Sequence, residues 1–315
     1  MTNFKQTLST ITDYIKADIF PGASLALYDG QDWQEHYLGT QDGNIPVVPG
    51  LTYDLASVSK VVGVGTLCLF YLQTGKLDLD EKLSTYYPAV VDKTLTLRQL
   101  LSHSSGIDPF IPNRDELDQA GLISAINAIK VKDDKPFLYT DINFILLGLM
   151  LEKVSGQRLD KLFDSEIFQP FGMSETRFGP VEVAVPTVEG IPGGTVHDPK
   201  ARVLKEHTGS AGLFSTLKDL EIFVDHYLTD DFAKNLTQNI SQSNKERSVA
   251  WDLQGDWILH TGYTGTFVLI NIPAQHAAIF LSNRTYYKDE RAQWIKDRDV
   301  LIEIMKKELI RETVE

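Results

Sequence analysis

The pattern of apolar positions predicts an amphipathic helix followed by a β-hairpin at the start of the chain. Apolar side chains recur every three or four positions over residues 3–18, a spacing that puts them on one helix face. They are Phe4, Leu8, Ile11, Ile15 and Ile19. Residues 23–28 and 33–38 are strand-like and flank a short turn segment, 29–32. Two such stretches around a short turn predict a hairpin.

A helix without a polar face is predicted next. Residues 51–56 indicate a strand, and the run that follows, residues 61–72, is almost entirely apolar. Such a run predicts a buried helix, which ends near Gly75. Lys60 lies at the start of this helix, where a charge requires a partner or a chemical role.

The middle of the chain, residues 76–214, has short helical patterns separated by loops that contain Gly and Pro. Helices are predicted at 96–102, 115–129 and 141–155. Gly156 is a typical end for the last of these helices. Residues 181–210 contain several Gly and Pro residues and predict a long irregular segment, of a kind that is often functional.

Strand patterns return after residue 215. Helices are predicted at 216–229 and 288–312, and strands at 249–253, 257–260, 266–272 and 277–281. Strands at both ends with helices between them predict an α/β fold of the α+β type. We expect an antiparallel sheet built from both chain ends, flanked by terminal helices. Residues 1–75 plus 215–315 would form this sheet domain, and residues 76–214 a mainly helical insertion that carries Tyr139.

Composition is that of an ordinary globular protein of 315 residues, 43% hydrophobic and 23% charged. The net charge of −13 argues against nucleic acid or an anionic membrane surface as a partner. The sequence has no stretch of 18 or more apolar residues, so no membrane span is predicted. The first residues lack the pattern of a secretory signal, so a cytoplasmic location is expected. The single cysteine, Cys68, is expected to be a small buried hydrophobe.

The pair Ser57 and Lys60 is the first candidate for chemistry. Ser57 and Lys60 are three residues apart at the start of a helix. Their side chains therefore lie on one helix face, close to free backbone N–H groups. A serine needs a base to become a nucleophile, and a lysine in a dry pocket loses proton affinity. The same spacing occurs at Ser215 and Lys218, where Ser215 or Thr216 is more simply a helix N-cap and Lys218 a solvated charge.

Two further segments are candidates to meet Ser57. Tyr139 precedes a helix and would relay protons beside a lysine, although a core aromatic next to an Asp141 N-cap is the simpler explanation of the segment taken alone. Residues 260–263, His-Thr-Gly-Tyr, end a strand whose N–H groups would face Ser57. An ordinary strand–turn junction is the alternative for that segment.

These three elements, in this order and at these separations, resemble the serine β-lactamase and penicillin-binding-protein superfamily, and most of all its class C β-lactamase-like branch. That branch includes esterases, D-amino-acid peptidases and carboxypeptidases. Four further segments are similar to segments of the branch: residues 100–107 (LLSHSSGI), 137–148 (FLYTDINFILLG), 194–198 (GTVHD) and 209–216 (GSAGLFST). The resemblance covers nearly the whole chain and implies a β-lactamase/transpeptidase-like fold.

The resemblance also implies roles. Ser57 would be the acylated nucleophile, Lys60 would take its proton, and Tyr139 would be the second acid or base. Backbone N–H groups of Ser57 and Tyr263 would form the oxyanion hole, and the substrate would lie against His260, Thr261, Gly262 and Asp141. No metal and no organic cofactor is implied. The oligomeric state and the roles of His103 and His197 stay open.

Two departures from the superfamily pattern bear on the substrate. His260 stands where many relatives have a lysine that holds the substrate carboxylate, and Asp141 replaces the asparagine of β-lactamases. Both changes predict a less anionic substrate. We therefore expect a serine hydrolase that cleaves a small ester, amide or peptide, as an esterase or D-peptidase does. The alternatives are a β-lactamase or DD-carboxypeptidase acting on β-lactams or cell-wall peptides, and a non-catalytic penicillin-binding-like module.

Overall fold

The structure is a computed structural model that describes residues 4–311. Its strands are β1 (Gly22–Tyr28), β2 (Trp33–Gly39), β3 (Thr52–Asp54), β4 (Arg177–Phe178), β5 (Leu213–Thr216), β6 (Asp252–Gln254), β7 (Trp257–Thr261), β8 (Phe267–Asn271) and β9 (His276–Ser282). Its helices are α1 (Lys5–Lys16), α2 (Thr66–Gln73), α3 (Leu83–Tyr86), α4 (Leu97–Leu101), α5 (Gln119–Asn127), α6 (Asp141–Ser155), α7 (Leu159–Phe163), α8 (Gln169–Phe171), α9 (Pro199–Leu204), α10 (Leu217–Thr229) and α11 (Arg291–Arg311).

The main sheet is antiparallel and joins the two ends of the chain. Its strand order is β2-β1-β9-β8-β7-β6, and β1 pairs with β9 so that Ala26 lies opposite Ile279. The predicted α+β fold, with a sheet drawn from both chain ends, is confirmed. The division into domains at residues 75 and 214 stays a prediction.

The two faces of this sheet are buried against different layers. Successive side chains of a strand point to opposite faces, so Leu25 and Leu27 pack with α1 and α11, whereas Ala26 joins the core beneath the helical region. In β8, Phe267 belongs to the first of these layers and Val268 to the second. A sheet covered on both sides explains why its central strands read as continuous apolar runs.

The segment Ala56–Gln73 is continuous and helical, as predicted. It begins with a short 3₁₀ turn, widens into a π-helical stretch over Val61–Gly65 and continues as α2. It is the one helix in residues 4–311 long and apolar enough to cross a membrane, but 78% of it is buried inside the protein, as a core helix would be. A Cβ on Gly63 would lie 2.4 Å from the Phe163 ring, so close packing requires glycine there.

Several predicted boundaries are wrong. The helix predicted at 115–129 is shorter in the structure, where it is α5. It begins after Asp118, because the Asp118 side chain caps it by accepting the Gly121 N–H. The strand predicted at 249–253 shrinks to β6, because Ala250 has the left-handed φ of 69°. The predicted irregular segment 181–210 contains α9, and a second, three-stranded sheet, β3-β5-β4, was not foreseen.

Candidate active site

The turn that carries Ser57 is held in a strained conformation. Ala56, just before the serine, has a φ of 45°, which alanine adopts only at a cost. The buried Asp54 carboxylate stabilises it by accepting the Ala56 N–H at 2.8 Å, and its other oxygen accepts the His197 N–H at 2.7 Å. Burial raises the pKa of the Asp54 carboxyl to about 6, although these two N–H bonds oppose that shift.

Lys60 is fully buried and makes three hydrogen bonds. Its Nζ lies 2.8 Å from Ser57 Oγ, 2.8 Å from Asp141 Oδ1 and 2.8 Å from the Ser210 carbonyl oxygen. Three acceptors match the three N–H bonds of an ammonium group. The structure thus brings Ser57 and Lys60 together as expected, with Asp141 as the charge that compensates the lysine.

The expectation that Lys60 loses proton affinity is wrong. Burial lowers the pKa of Lys60, but the adjacent Asp141 carboxylate outweighs burial and the net shift is upward. The pKa of Asp141 lies well below its usual range: burial raises it, but Lys60 and Lys200 lower it more. Lys200 Nζ lies 3.0 Å from Asp141 Oδ2, so this one carboxylate bridges two lysines.

Tyr139 lies beside this group, half-exposed. Its ring centroid is 5.2 Å from Lys60 Nζ, and the ring stacks on His103 with 4.3 Å between centroids. The N-cap of α6 is Thr140, whose hydroxyl accepts the Ile142 N–H, and not Asp141 as the alternative explanation required. Because Thr140 provides the cap, the Asp141 carboxylate is free to bind Lys60.

The strand-end segment 260–263 is divided between two environments. Thr261, Gly262 and Tyr263 line the same cavity as Ser57, whereas His260 is buried and lines a smaller, neighbouring cavity. Neither ring nitrogen of His260 has a hydrogen-bond partner within residues 4–311. Burial, followed by the charges of Lys60 and Arg247, lowers the pKa of His260 well below its usual value, so its ring is neutral at pH 7.

Backbone contacts fix this strand end against the serine turn. A Cβ on Gly262 would lie 2.6 Å from the Leu55 carbonyl oxygen, so only glycine permits the approach. Thr266 Oγ1 donates to the same Leu55 oxygen at 3.0 Å. Arg284 Nε donates to the Tyr263 carbonyl oxygen at 2.8 Å and so orients the backbone on the C-terminal side of Tyr263.

The cavity around Ser57 has a volume of about 720 Å³ and a lining rich in cations. The charged side chains of the lining are the cations Arg114, Lys200, Arg284, Arg291 and Arg298 and the anions Asp141, Asp198 and Asp289. Arg298 donates to Thr261 Oγ1 at 3.3 Å. Sequence reasoning missed Lys200 and Arg298; Lys200 lies two residues beyond the GTVHD segment, which was the available signal. Within the described residues, no group of three His, Cys, Asp or Glu side chains could hold a metal ion.

A serine that accepts a hydrogen bond from a buried lysine, in a cavity of this fold, is the active-site arrangement of a serine hydrolase. A family model described as beta-lactamase matches residues 9–302. The chain belongs to the beta-lactamase family, which confirms the resemblance seen in the sequence.

Individual proteins of this kind are similar to the chain at moderate identity. The "Putative D-alanyl-D-alanine carboxypeptidase" of Escherichia coli strain K12 is 26% identical over 309 residues, which cover 77% of this chain and 71% of that protein. Two solved structures share the fold. "EstCE1, a hydrolase with promiscuous acyltransferase activity" has a TM-score of 0.76 at 18% identity and covers 94% of this chain and 97% of its own. A "Beta-lactamase/D-alanine Carboxypeptidase" from Yersinia pestis, complexed with citrate, has a TM-score of 0.76 at 16% identity, with 96% and 98% covered.

Proposed function

We propose that this protein cleaves an ester or amide through an acyl-enzyme on Ser57. Ser57 Oγ attacks the substrate carbonyl carbon, and its proton passes to the Lys60–Tyr139 pair. The pair then gives a proton to the departing alcohol or amine. Water then attacks the acyl ester and gives a proton to the pair; the bond between the acyl carbon and Ser57 Oγ breaks, the pair returns that proton to Oγ, and the acid leaves.

The hydrogen bonds of Lys60 define the starting protonation state of this reaction. All three N–H bonds of its ammonium point at acceptors, so Lys60 cannot take the serine proton in this state. The Ser57, Lys60 and Tyr139 set must first lose one proton. Tyr139, which lines the cavity, is half-exposed and lies beside Lys60, would be the route by which that proton reaches solvent.

The oxyanion formed in each step would be stabilised by backbone donors. Ser57 lies in the first turn of its helix, where N–H groups have no partner within the helix. The Tyr263 N–H, on the strand end that packs against this turn, would be the second donor. Thr261 and Gly262 would line the substrate, and Asp141 would act through Lys60.

The Lys60 Nζ to Ser57 Oγ contact of 2.8 Å is the observation that carries this proposal. A fluorophosphonate probe should label the wild-type protein at one site, and Ser57→Ala should abolish labelling. Ser215→Ala is the matched control, because Ser215 has the same spacing to a lysine but lies buried in β5. Unchanged labelling of the Ser57→Ala variant would contradict the proposal.

For the substrate, the first candidate is an uncharged ester or a D-peptide, and the second is a peptide or β-lactam that carries a carboxylate. The cationic lining of the cavity, Arg298 beside Thr261 above all, favours the second candidate. A panel of p-nitrophenyl esters, D-alanyl-D-alanine peptides and nitrocefin would rank them. The departures at His260 and Asp141 predict short-chain ester cleavage and little nitrocefin turnover, whereas the cationic lining predicts the reverse ranking, and the panel decides between the two candidates.

A non-catalytic binding module is the remaining alternative. The intact contact between Ser57 and Lys60 argues against it, and absence of turnover on the whole panel by folded protein would support it. The cytoplasmic location also stays a prediction, which fractionation of the source cells would test.

A further inference from the structure

The start of α9 is tied to the serine turn through one buried carboxylate. Asp54 accepts the Ala56 N–H with one oxygen and the His197 N–H with the other. His197 immediately precedes Asp198, the N-cap of α9, whose side chain accepts the Ala201 N–H at 2.8 Å. The first turn of α9 is therefore held at a fixed distance from Ser57.

Lys200, in that first turn, completes a chain of charges that leads back to the serine. Its ammonium lies 3.0 Å from Asp141 Oδ2 and 3.3 Å from Asp198 Oδ2. Asp141 Oδ1 in turn binds Lys60, which donates to Ser57. Lys200 side-chain exposure is 15%, so solvent screens its charge only in part.

We infer that Lys200 is a positioning residue of this active site, which shares the Asp141 carboxylate with Lys60 and thereby favours loss of a proton from the Ser57, Lys60 and Tyr139 set. The inference rests on the proposed function, since it concerns how the same serine is activated. Its physical basis is that a second cation bound to a carboxylate weakens the attraction between that carboxylate and the first cation. The same cation favours proton loss whichever atom of the set gives up the proton.

Other groups around Lys60 do not produce the same pH response. The charged and titratable side chains that interact with it are Tyr139, Asp141, His103 and His260; Lys200 acts on it through Asp141, and Arg247 interacts with Tyr139 and with both histidines. Burial lowers the pKa of both His103 and His260 well below the usual value, so these rings stay neutral above pH 7. A change in the pH dependence above pH 7 would therefore not come from these two histidines.

The test is the rate of Ser57 labelling by a small uncharged fluorophosphonate between pH 6 and pH 10. Lys200→Gln should move the rising limb of this rate to higher pH by about one pH unit. At each pH on the limb the labelling rate should then be about tenfold lower. Lys200→Arg should restore the wild-type limb, because it keeps the charge. A purely structural role of the Lys200 side chain would leave Lys200→Arg as slow as Lys200→Gln.

Asp198→Asn gives a second variant with the opposite expected sign. Asparagine is as good an N-cap as aspartate, so α9 should stay folded. Loss of a negative charge beside Lys200 should move the limb to lower pH. If the rising limbs of the labelling rate of Lys200→Gln and Asp198→Asn both coincide with that of the wild type, this inference is overturned and the proposed function is not. Wild-type protein that is not labelled at Ser57 would overturn the proposed function and this inference with it.

Discussion

Asp141→Asn tests whether Lys60 is held as an ammonium by a charge. The substitution keeps the shape of the side chain and one acceptor oxygen but removes the negative charge 2.8 Å from Lys60 Nζ. Lys60, which is fully buried, would then carry an uncompensated charge next to Lys200. We expect lower stability at neutral pH and a Lys60 that loses its proton more easily.

The size of the effect follows from the geometry. Two unit charges 2.8 Å apart attract by about 6 kcal/mol at an effective dielectric constant of about 20. Asp141 side-chain exposure is 22%, and the amide oxygen keeps a weaker hydrogen bond, so the net loss is smaller. Removal of one partner of a buried pair costs about 3–5 kcal/mol. We expect the lower end, about 3 kcal/mol, at pH 7.

The sign of the pH dependence distinguishes this explanation from a packing defect. In the wild type the pKa of Lys60 is raised, so its contribution to stability is complete below the unfolded value of about 10.4 and is lost above the folded value. In Asp141→Asn the folded pKa should fall below about 10.4, and the penalty should shrink as pH rises toward that value. The rising limb of activity should move to lower pH for the same reason.

Urea unfolding of the wild type and Asp141→Asn at pH 7 and pH 9.5 measures this difference. Asp80→Asn is the matched control, because Asp80 pairs with Arg98 at the surface with 66% of its side chain exposed and should cost less than about 1 kcal/mol at either pH. A loss below about 1 kcal/mol for Asp141→Asn, or the same loss at both pH values, would refute the reasoning.

Three further substitutions test separate features. Thr96→Ala removes the capping box of α4 and should lower the free energy of unfolding by about 1 kcal/mol in urea titration; no change would show that the cap contributes nothing. Gly209→Ala would place a Cβ 2.2 Å from the Phe144 carbonyl oxygen and should cost at least about 2 kcal/mol by the same measurement, whereas a neutral result would contradict the close approach. Arg284→Lys loses the Nε bond to the Tyr263 carbonyl and should lower kcat on a p-nitrophenyl ester about tenfold with KM unchanged; a change confined to KM would instead assign Arg284 to substrate binding.

Elements with a local start or end signal could be predicted from the sequence. The helix predicted at 141–155 is α6 without correction, because Gly156 adopts the left-handed φ of 73° that ends it. The strand predicted at 249–253 failed, because the left-handed backbone of Ala250 is imposed by its surroundings and its residue type gives no sign of it. The sequence did contain the signal for α9, Asp198 followed by Pro199, but the Gly and Pro residues around it obscured the pattern.

The candidate site was predictable where one motif contains both partners. Ser57 and Lys60 are three residues apart, and their contact follows from helix geometry alone. The protonation of Lys60 was not predictable in this way, because it depends on Asp141, 81 positions further along the chain. Lys200 lies further still, and only the folded chain brings its charge to the same carboxylate.

The two departures that predicted a less anionic substrate have a different meaning in the folded protein. Asp141 adds little negative potential to the cavity, because Lys60 and Lys200 each bind one of its oxygens. His260 does not line the cavity around Ser57, whereas Arg298 reaches Thr261 there. We therefore expect substrate choice to depend on the cations of the lining, although Asp299 and Asp289 pair with Arg298 and Arg284. Comparison of a D-alanyl-D-alanine peptide from the panel with the C-terminal amide of the same peptide isolates this effect, because only the carboxylate differs between them.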